Sequence, residues 1–156
     1  IRGNISEIKT LYEWSENSYG VDAKKDDIIT EDNQKKVIRM AKELAVKTKA
    51  VIVITGETDL VTDGETVYFI KNGVPEMARI TGCGCMLDGV IAGFIGANQG
   101  NILEATVTAV SAMGICGEYA RENAKGTGTL KVHLIDAMSN IDETWMERSN
   151  QIESRS

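Results

Sequence analysis

The order of segments predicts an α/β fold, a mixed sheet covered by helices. Three observations carry it. An amphipathic helical pattern over Thr30 to Thr48 runs straight into the short β-branched run Ala50-Val51-Ile52-Val53-Ile54. Two glycine turns, Asp63-Gly64 and Asn72-Gly73, bracket a second strand-like run, Glu65 to Ile70. Met86 to Gly96 and Ile102 to Asn123 are rich in glycine and alanine and nearly uncharged on most faces.

Each element has a local reason. In the first helix Val37, Met40, Ala41, Leu44 and Thr48 recur at steps of three and four, while Lys35, Lys36, Arg39, Lys42 and Glu43 take the other face. Thr30 is placed to cap it, with Glu31 and Asp32 in the first turn. The unbroken run 50–54 is the pattern of a strand buried on both faces. The two turns suggest a small antiparallel meander, and Pro75 just beyond them suits an edge strand. Met86 to Gly96 and Ile102 to Asn123 carry few charges and read as closely packed, buried helices, the second capped by Asn101. After the break Gly126-Thr127-Gly128, a last amphipathic helix is expected from about Leu130 to Arg148. The tail beyond it is polar and expected to fray. The domain reading is one domain portion over residues 1–150 with a polar tail at 151–156.

Composition narrows the chemistry. The chain has 156 residues, 42% hydrophobic and 26% charged, as in ordinary soluble globular domains. No apolar run approaches the roughly 20 residues of a membrane span. Seventeen basic against 23 acidic residues leave a net charge of −6, which argues against a nucleic-acid surface or an anionic membrane as partner. Three cysteines without a signal-like leader point to the reducing cytoplasm. The start Ile1-Arg2-Gly3-Asn4 has no initiator methionine and no recognisable strand, so a longer chain is expected upstream.

The most informative stretch is Arg79-Ile80-Thr81-Gly82-Cys83-Gly84-Cys85-Met86. A structural zinc site needs about four ligands, whereas the spacing here is Cys-x-Cys, His133 is the one histidine and Cys116 lies within a helix. A redox pair is more often Cys-x-x-Cys. The glycines support a third reading. Gly82 and Gly84 let the backbone turn sharply and approach a ligand, and the helix beyond them presents unpaired N–H groups, together an anion hole. A helix start also favours thiolate, which would let Cys85 accept a proton from an alcohol. Against this stands a plain turn with Cys83 and Cys85 as small buried hydrophobes.

The ordered set of motifs resembles the hydroxyethylthiazole kinases of the ribokinase-like superfamily. It comprises Arg2-Gly3-Asn4 with Glu7, Gly20-Val21-Asp22, the run Val51 to Asp59 with Val61-Thr62-Asp63-Gly64, Asn72-Gly73, Ile80 to Cys85, Gly126-Thr127-Gly128-Thr129 and Leu134-Ile135-Asp136-Ala137. The resemblance covers nearly the whole chain, with Leu130 standing at an aromatic-type position. It implies a three-layer fold with a mostly parallel central sheet and helices on both faces, here incomplete at the N-terminus and so exposing apolar surface. It also implies transfer of the γ-phosphate of ATP to the primary alcohol of 4-methyl-5-(2-hydroxyethyl)thiazole in thiamine salvage, by a homotrimer.

By the same resemblance Cys85 is the catalytic position. Arg2 and Thr55 are ATP contacts, Gly82 lies beside the thiazole, and Gly82, Cys83 and Gly84 form the anion hole. Asn4 and Glu7 serve Mg²⁺ through water. From the residues alone, Asn4 and Glu7 also fit a helix capping box, Thr55 a strand-end threonine, and Arg2 a solvated arginine. Asp59 and Asp63 read as turn formers. Two other functions remain open: a kinase of the same fold for a pyrimidine, pyridoxal or sugar alcohol, and a non-catalytic nucleotide-binding module.

Overall fold

The computed structural model describes residues 1–15 and 33–155. In chain order the elements are β1 (Arg2–Asn4), α1 (Ile5–Ser15), α2 (Gln34–Thr48), β2 (Ile52–Thr55), β3 (Asp59–Thr62), β4 (Val67–Ile70), a short 3₁₀ helix (Pro75–Arg79), α3 (Cys83–Ala97), α4 (Ile102–Asn123), α5 (Thr127–Asn140), α6 (Glu143–Ser149) and β5 (Ile152–Arg155). They fall into two compact units. One runs from Ile1 to Phe69 and takes in the stretch from Glu153; the other is Ile70–Ile152.

The first unit carries a five-stranded sheet in the order β1-β2-β3-β4-β5. β1 and β2 are parallel, with Arg2, Gly3 and Asn4 opposite Val53, Ile54 and Thr55. β2 and β3 are antiparallel. The mixed sheet read from the residues is present, and β1 with β2 carries the parallel pairing that the resemblance implies. β1 itself has no counterpart in the sequence pattern, because three residues are too few to show a period. It is held by pairing: the Ile1 nitrogen donates to the Val51 carbonyl and the Val53 N–H to the Ile1 carbonyl, both at 2.8 Å.

Ile5 and Ile8 of α1 and Val37, Ala41 and Leu44 of α2 pack with Ile52, Ile54, Leu60, Val67 and Phe69 in one core. Each fully buried side chain of this kind contributes roughly 1.5–3 kcal/mol. Val53 and Val61, on the opposite face of the strands, are also buried, as the β-branched run predicts. α2 is described from Gln34, so Thr30, Glu31 and Asp32, like Gly20-Val21-Asp22, lie outside the described residues. The Asp63-Gly64 turn forms as expected. Asp63 Oδ1 accepts the N–H groups of Glu65 at 2.9 Å and Thr66 at 3.0 Å. Gly64 there takes a φ of 104°.

Outside the first core several expectations change. Pro75 opens the 3₁₀ helix rather than an edge strand, its fixed φ suiting a first helical turn. The predicted helix 130–148 is two helices broken at Ile141-Asp142, where Asp142 Oδ1 accepts the Trp145 N–H at 3.0 Å and caps α6. The tail is not frayed, because Ile152–Arg155 forms β5 beside β4, with the Arg155 guanidinium 5.1 Å from the Phe69 ring centre. Asn101 does occupy the position before α4, but its carbonyl rather than its side chain makes the bond, to the Ala105 N–H.

In the second unit α4 is deeply buried, whereas α3 buries only Leu87 of its fifteen residues. The expectation of two buried helices therefore holds for α4 alone. Apolar composition records what a helix gains by burial; the partner has to come from tertiary structure. Asn72, read as half of a turn, is a buried junction. Its Nδ2 donates to Glu118 Oε1 at 3.1 Å and to the Ser149 carbonyl at 2.7 Å, and its Oδ1 accepts from Ser111 Oγ at 3.1 Å and the Gln151 N–H at 3.0 Å. All four of its hydrogen-bonding positions are used.

Candidate active site

In the first unit the parallel register sets Asn4 directly opposite Thr55, at the carboxyl ends of β1 and β2. That edge of a parallel pair is where α/β folds bind ligands. Asn4 and Glu7 are bonded reciprocally. The Asn4 N–H donates to Glu7 Oε2 at 2.7 Å, and the Glu7 N–H to Asn4 Oδ1 at 2.9 Å. This is a complete capping box, and it starts α1 at Ile5. Gly3 fits tightly behind it, since a Cβ there would lie 3.0 Å from Glu7 Cβ. Thr55 is half-buried and its hydroxyl donates weakly, at 3.4 Å, to the Gly3 carbonyl. Arg2 is half-buried in β1.

Asp59, read as a turn former, does close the turn after β2: its Oδ1 accepts the Gly56 N–H at 2.9 Å. Burial also pushes its carboxyl up to about 6, outweighing that hydrogen bond. Nothing local in the sequence marks this aspartate as different from Asp63, which stays below the ordinary carboxylate value. Burial pushes Asp63 up too, but the Thr66 and Glu65 N–H bonds outweigh it.

The glycine-cysteine turn lies in the second unit. Gly82, at φ 88°, is the residue before α3, and a Cβ built on it meets nothing within 4 Å. The left-handed conformation therefore explains the glycine, and the space around it is open. Gly84 shows no such conformation; it sits inside the first turn of α3. The Cys83 N–H donates to the Ile80 carbonyl at 3.1 Å, and the Met86 N–H to the Gly82 carbonyl at 2.9 Å. The amides of Gly84 and Cys85 lie within the first turn of α3, ahead of the first intrahelical bond, which the Met86 N–H makes. Cys85 is exposed and Cys83 half-buried, so neither is a core hydrophobe. Cys116 is buried, and burial pushes its thiol up to about 11, an inert packing position.

A cavity of about 450 Å³ opens between α3, α4 and α5, lined by Val90, Phe94, Met113, Cys116 and Met138 among others and by no charged side chain. Among the described residues no three His, Cys, Asp or Glu side chains could hold a metal. Asn4 and Glu7 each give one oxygen to the capping box, so they fit a Mg²⁺ held mainly by water and phosphate rather than a protein cage.

The fold is shared with a solved hydroxyethylthiazole kinase protein from Pyrococcus horikoshii OT3, at a TM-score of 0.83 and 25% identity, over 99% of this chain and 54% of that one. The chain is thus an α/β protein of the ribokinase-like class. The family model described as Hydroxyethylthiazole kinase family matches residues 1–144, and the chain belongs to that family. Among its relatives, Hydroxyethylthiazole kinase 1 of Clostridium botulinum (strain Loch Maree / Type A3) is 42% identical over 99% of this chain and 57% of its own length. The Hydroxyethylthiazole kinase of Clostridium acetobutylicum is 41% identical over 99% of this chain and 58% of its own. The chain spans a little over half the length of these relatives.

Proposed function

We propose that the chain acts in ATP-dependent phosphorylation of the primary alcohol of 4-methyl-5-(2-hydroxyethyl)thiazole, a salvage step toward thiamine. The observation that carries this reading is the family match over residues 1–144, which takes in both the Asn4-Glu7-Thr55 group and the Gly82 to Cys85 turn.

In this reading the Arg2 guanidinium and the Thr55 hydroxyl hold ATP phosphates. Thr55 gives up only a weak bond to do so. Gly82, Cys83 and Gly84 shape the anion hole, with the Gly84 and Cys85 amides as its donors. The open space at Gly82 receives the thiazole alcohol. The alcohol oxygen bonds to the γ-phosphorus, the bond from that phosphorus to the bridging oxygen breaks, and ADP leaves. Cys85 takes the alcohol proton, a light task, because in phosphoryl transfer positioning and charge stabilisation outweigh proton removal. Mg²⁺, when bound, supplies positive charge beside the phosphate oxygens. Asn4 and Glu7 would hold it through water while keeping α1 capped.

Location in the cytoplasm and assembly as a homotrimer belong to the same reading. The first is supported by three cysteines that are all free thiols, and sedimentation of the native protein tests the second. The decisive experiment is ADP release by the native protein with Mg-ATP and the thiazole, with pyridoxal and ribose as controls. Turnover with the thiazole alone is expected. Turnover only with a control moves the protein to another alcohol, and no turnover with any acceptor overturns the kinase reading.

A further inference from the structure

The turn after Thr55 is closed by a side chain from the next strand. Gly56 has little packing to hold it, since a Cβ there would meet only the Thr58 carbonyl, at 3.7 Å. Its amide is held instead by Asp59 Oδ1, across the start of β3. Asp59 is mostly withdrawn from water, an environment that penalises its charge. Asp59 is half-buried, and its Oδ1 is the acceptor that holds this turn. The turn it closes begins at the residue opposite Asn4, at the carboxyl end of the parallel strand pair.

We propose that Asp59 is a positioning residue for nucleotide binding: by holding the Gly56 amide it fixes the chain immediately after Thr55, and so aims the Thr55 hydroxyl at a phosphate oxygen. The proposal rests on the reading of Thr55 as an ATP contact. It assigns Asp59 no contact with the nucleotide. Its effect on ATP passes through Thr55, whose own hydroxyl is otherwise engaged only at 3.4 Å.

The test is ATP affinity of the native protein, measured by calorimetry on Asp59→Ala, Asp59→Asn, Thr55→Val and the double variant Asp59→Ala/Thr55→Val. Asp59→Ala is expected to weaken ATP binding by about tenfold, the scale of one hydrogen bond. Asp59→Asn, which keeps the Oδ1 acceptor, is expected to stay within about twofold. The double variant is expected to bind no more weakly than Thr55→Val alone, the non-additivity of two residues acting on one contact. Asp59→Glu keeps the charge but displaces the acceptor by one methylene. It is expected to weaken ATP binding without changing the KM for the thiazole, and it keeps the test decisive if Asp59→Ala fails to fold. Loss of affinity in Thr55→Val beside unchanged affinity in Asp59→Ala or Asp59→Glu overturns the proposal alone, as does simple additivity. Unchanged affinity in Thr55→Val overturns the reading of Thr55, and the proposal falls with it.

Discussion

Gly114 of α4 lies so close to Asn72 that a Cβ on it would sit 2.6 Å from the Asn72 carbonyl oxygen. Alanine normally improves a helix by about 1 kcal/mol over glycine. Here the obstacle is backbone, and the same Asn72 is bound on four sides, so it cannot step aside. Gly114→Ala is therefore expected to destabilise the protein by about 2–4 kcal/mol, read as a lower urea midpoint at unchanged slope.

Gly82 is a glycine of the opposite kind, strained for any other residue by its φ of 88° yet surrounded by open space. Gly82→Ala is expected to cost about 1–2 kcal/mol, and Gly82→Asn clearly less, because asparagine tolerates the left-handed region. Equal costs for the two variants in thermal unfolding would mean that contact, not conformation, requires the glycine.

Asp59 is expected to give the protein's stability a pH dependence. Folding raises its carboxyl from 3.8 to about 6, so the folded state prefers the neutral acid. The resulting stabilisation is complete below about pH 3.8 and is lost as pH rises through about 6. Asp59→Asn removes this titration. The variant is expected to gain on the parent protein by roughly 1–3 kcal/mol between pH 4 and pH 7. Urea unfolding at a series of pH values would show the two stability curves diverging over that window; parallel curves would refute it.

Cys85 is exposed at a helix start and faces a light proton transfer. Cys85→Ser is expected to lower kcat by only about tenfold, below the 10²–10⁴ typical of a general base, with the KM for ATP unchanged. A loss beyond about a thousandfold in the native protein would assign Cys85 a larger share of the barrier.

The sequence revealed the elements whose signals are local and long. The β-branched run became β2, helical spacing became α2, α4 and α5, and Asp63-Gly64 became a turn. The Asn4 to Glu7 spacing, readable as a capping box, formed one. β1 and β5 escaped because each is a short segment made into a strand by its neighbour's hydrogen bonds. The break at Ile141-Asp142 lay inside a pattern that continues across it, marked only by an aspartate able to cap. The Gly82 to Cys85 turn was legible from its glycines, yet which of its amides are engaged was not, since that depends on the Ile80 carbonyl reaching Cys83. The raised carboxyl of Asp59 and the bond from Asn72 to Glu118 are hidden for the same reason: withdrawal from water causes the one and a distant partner the other, and neither leaves a local trace.

β5 has a consequence for the order of synthesis. In the chain, residues 71–151 lie between β4 and β5, although the two strands are neighbours in one sheet. A ribosome therefore releases β1 to β4 well before the strand that covers the β4 edge. During that interval β4 offers an open row of backbone donors and acceptors. Nascent chains stalled before Ile152 should be the stage most exposed to strand-mediated aggregation and most in need of a holding chaperone.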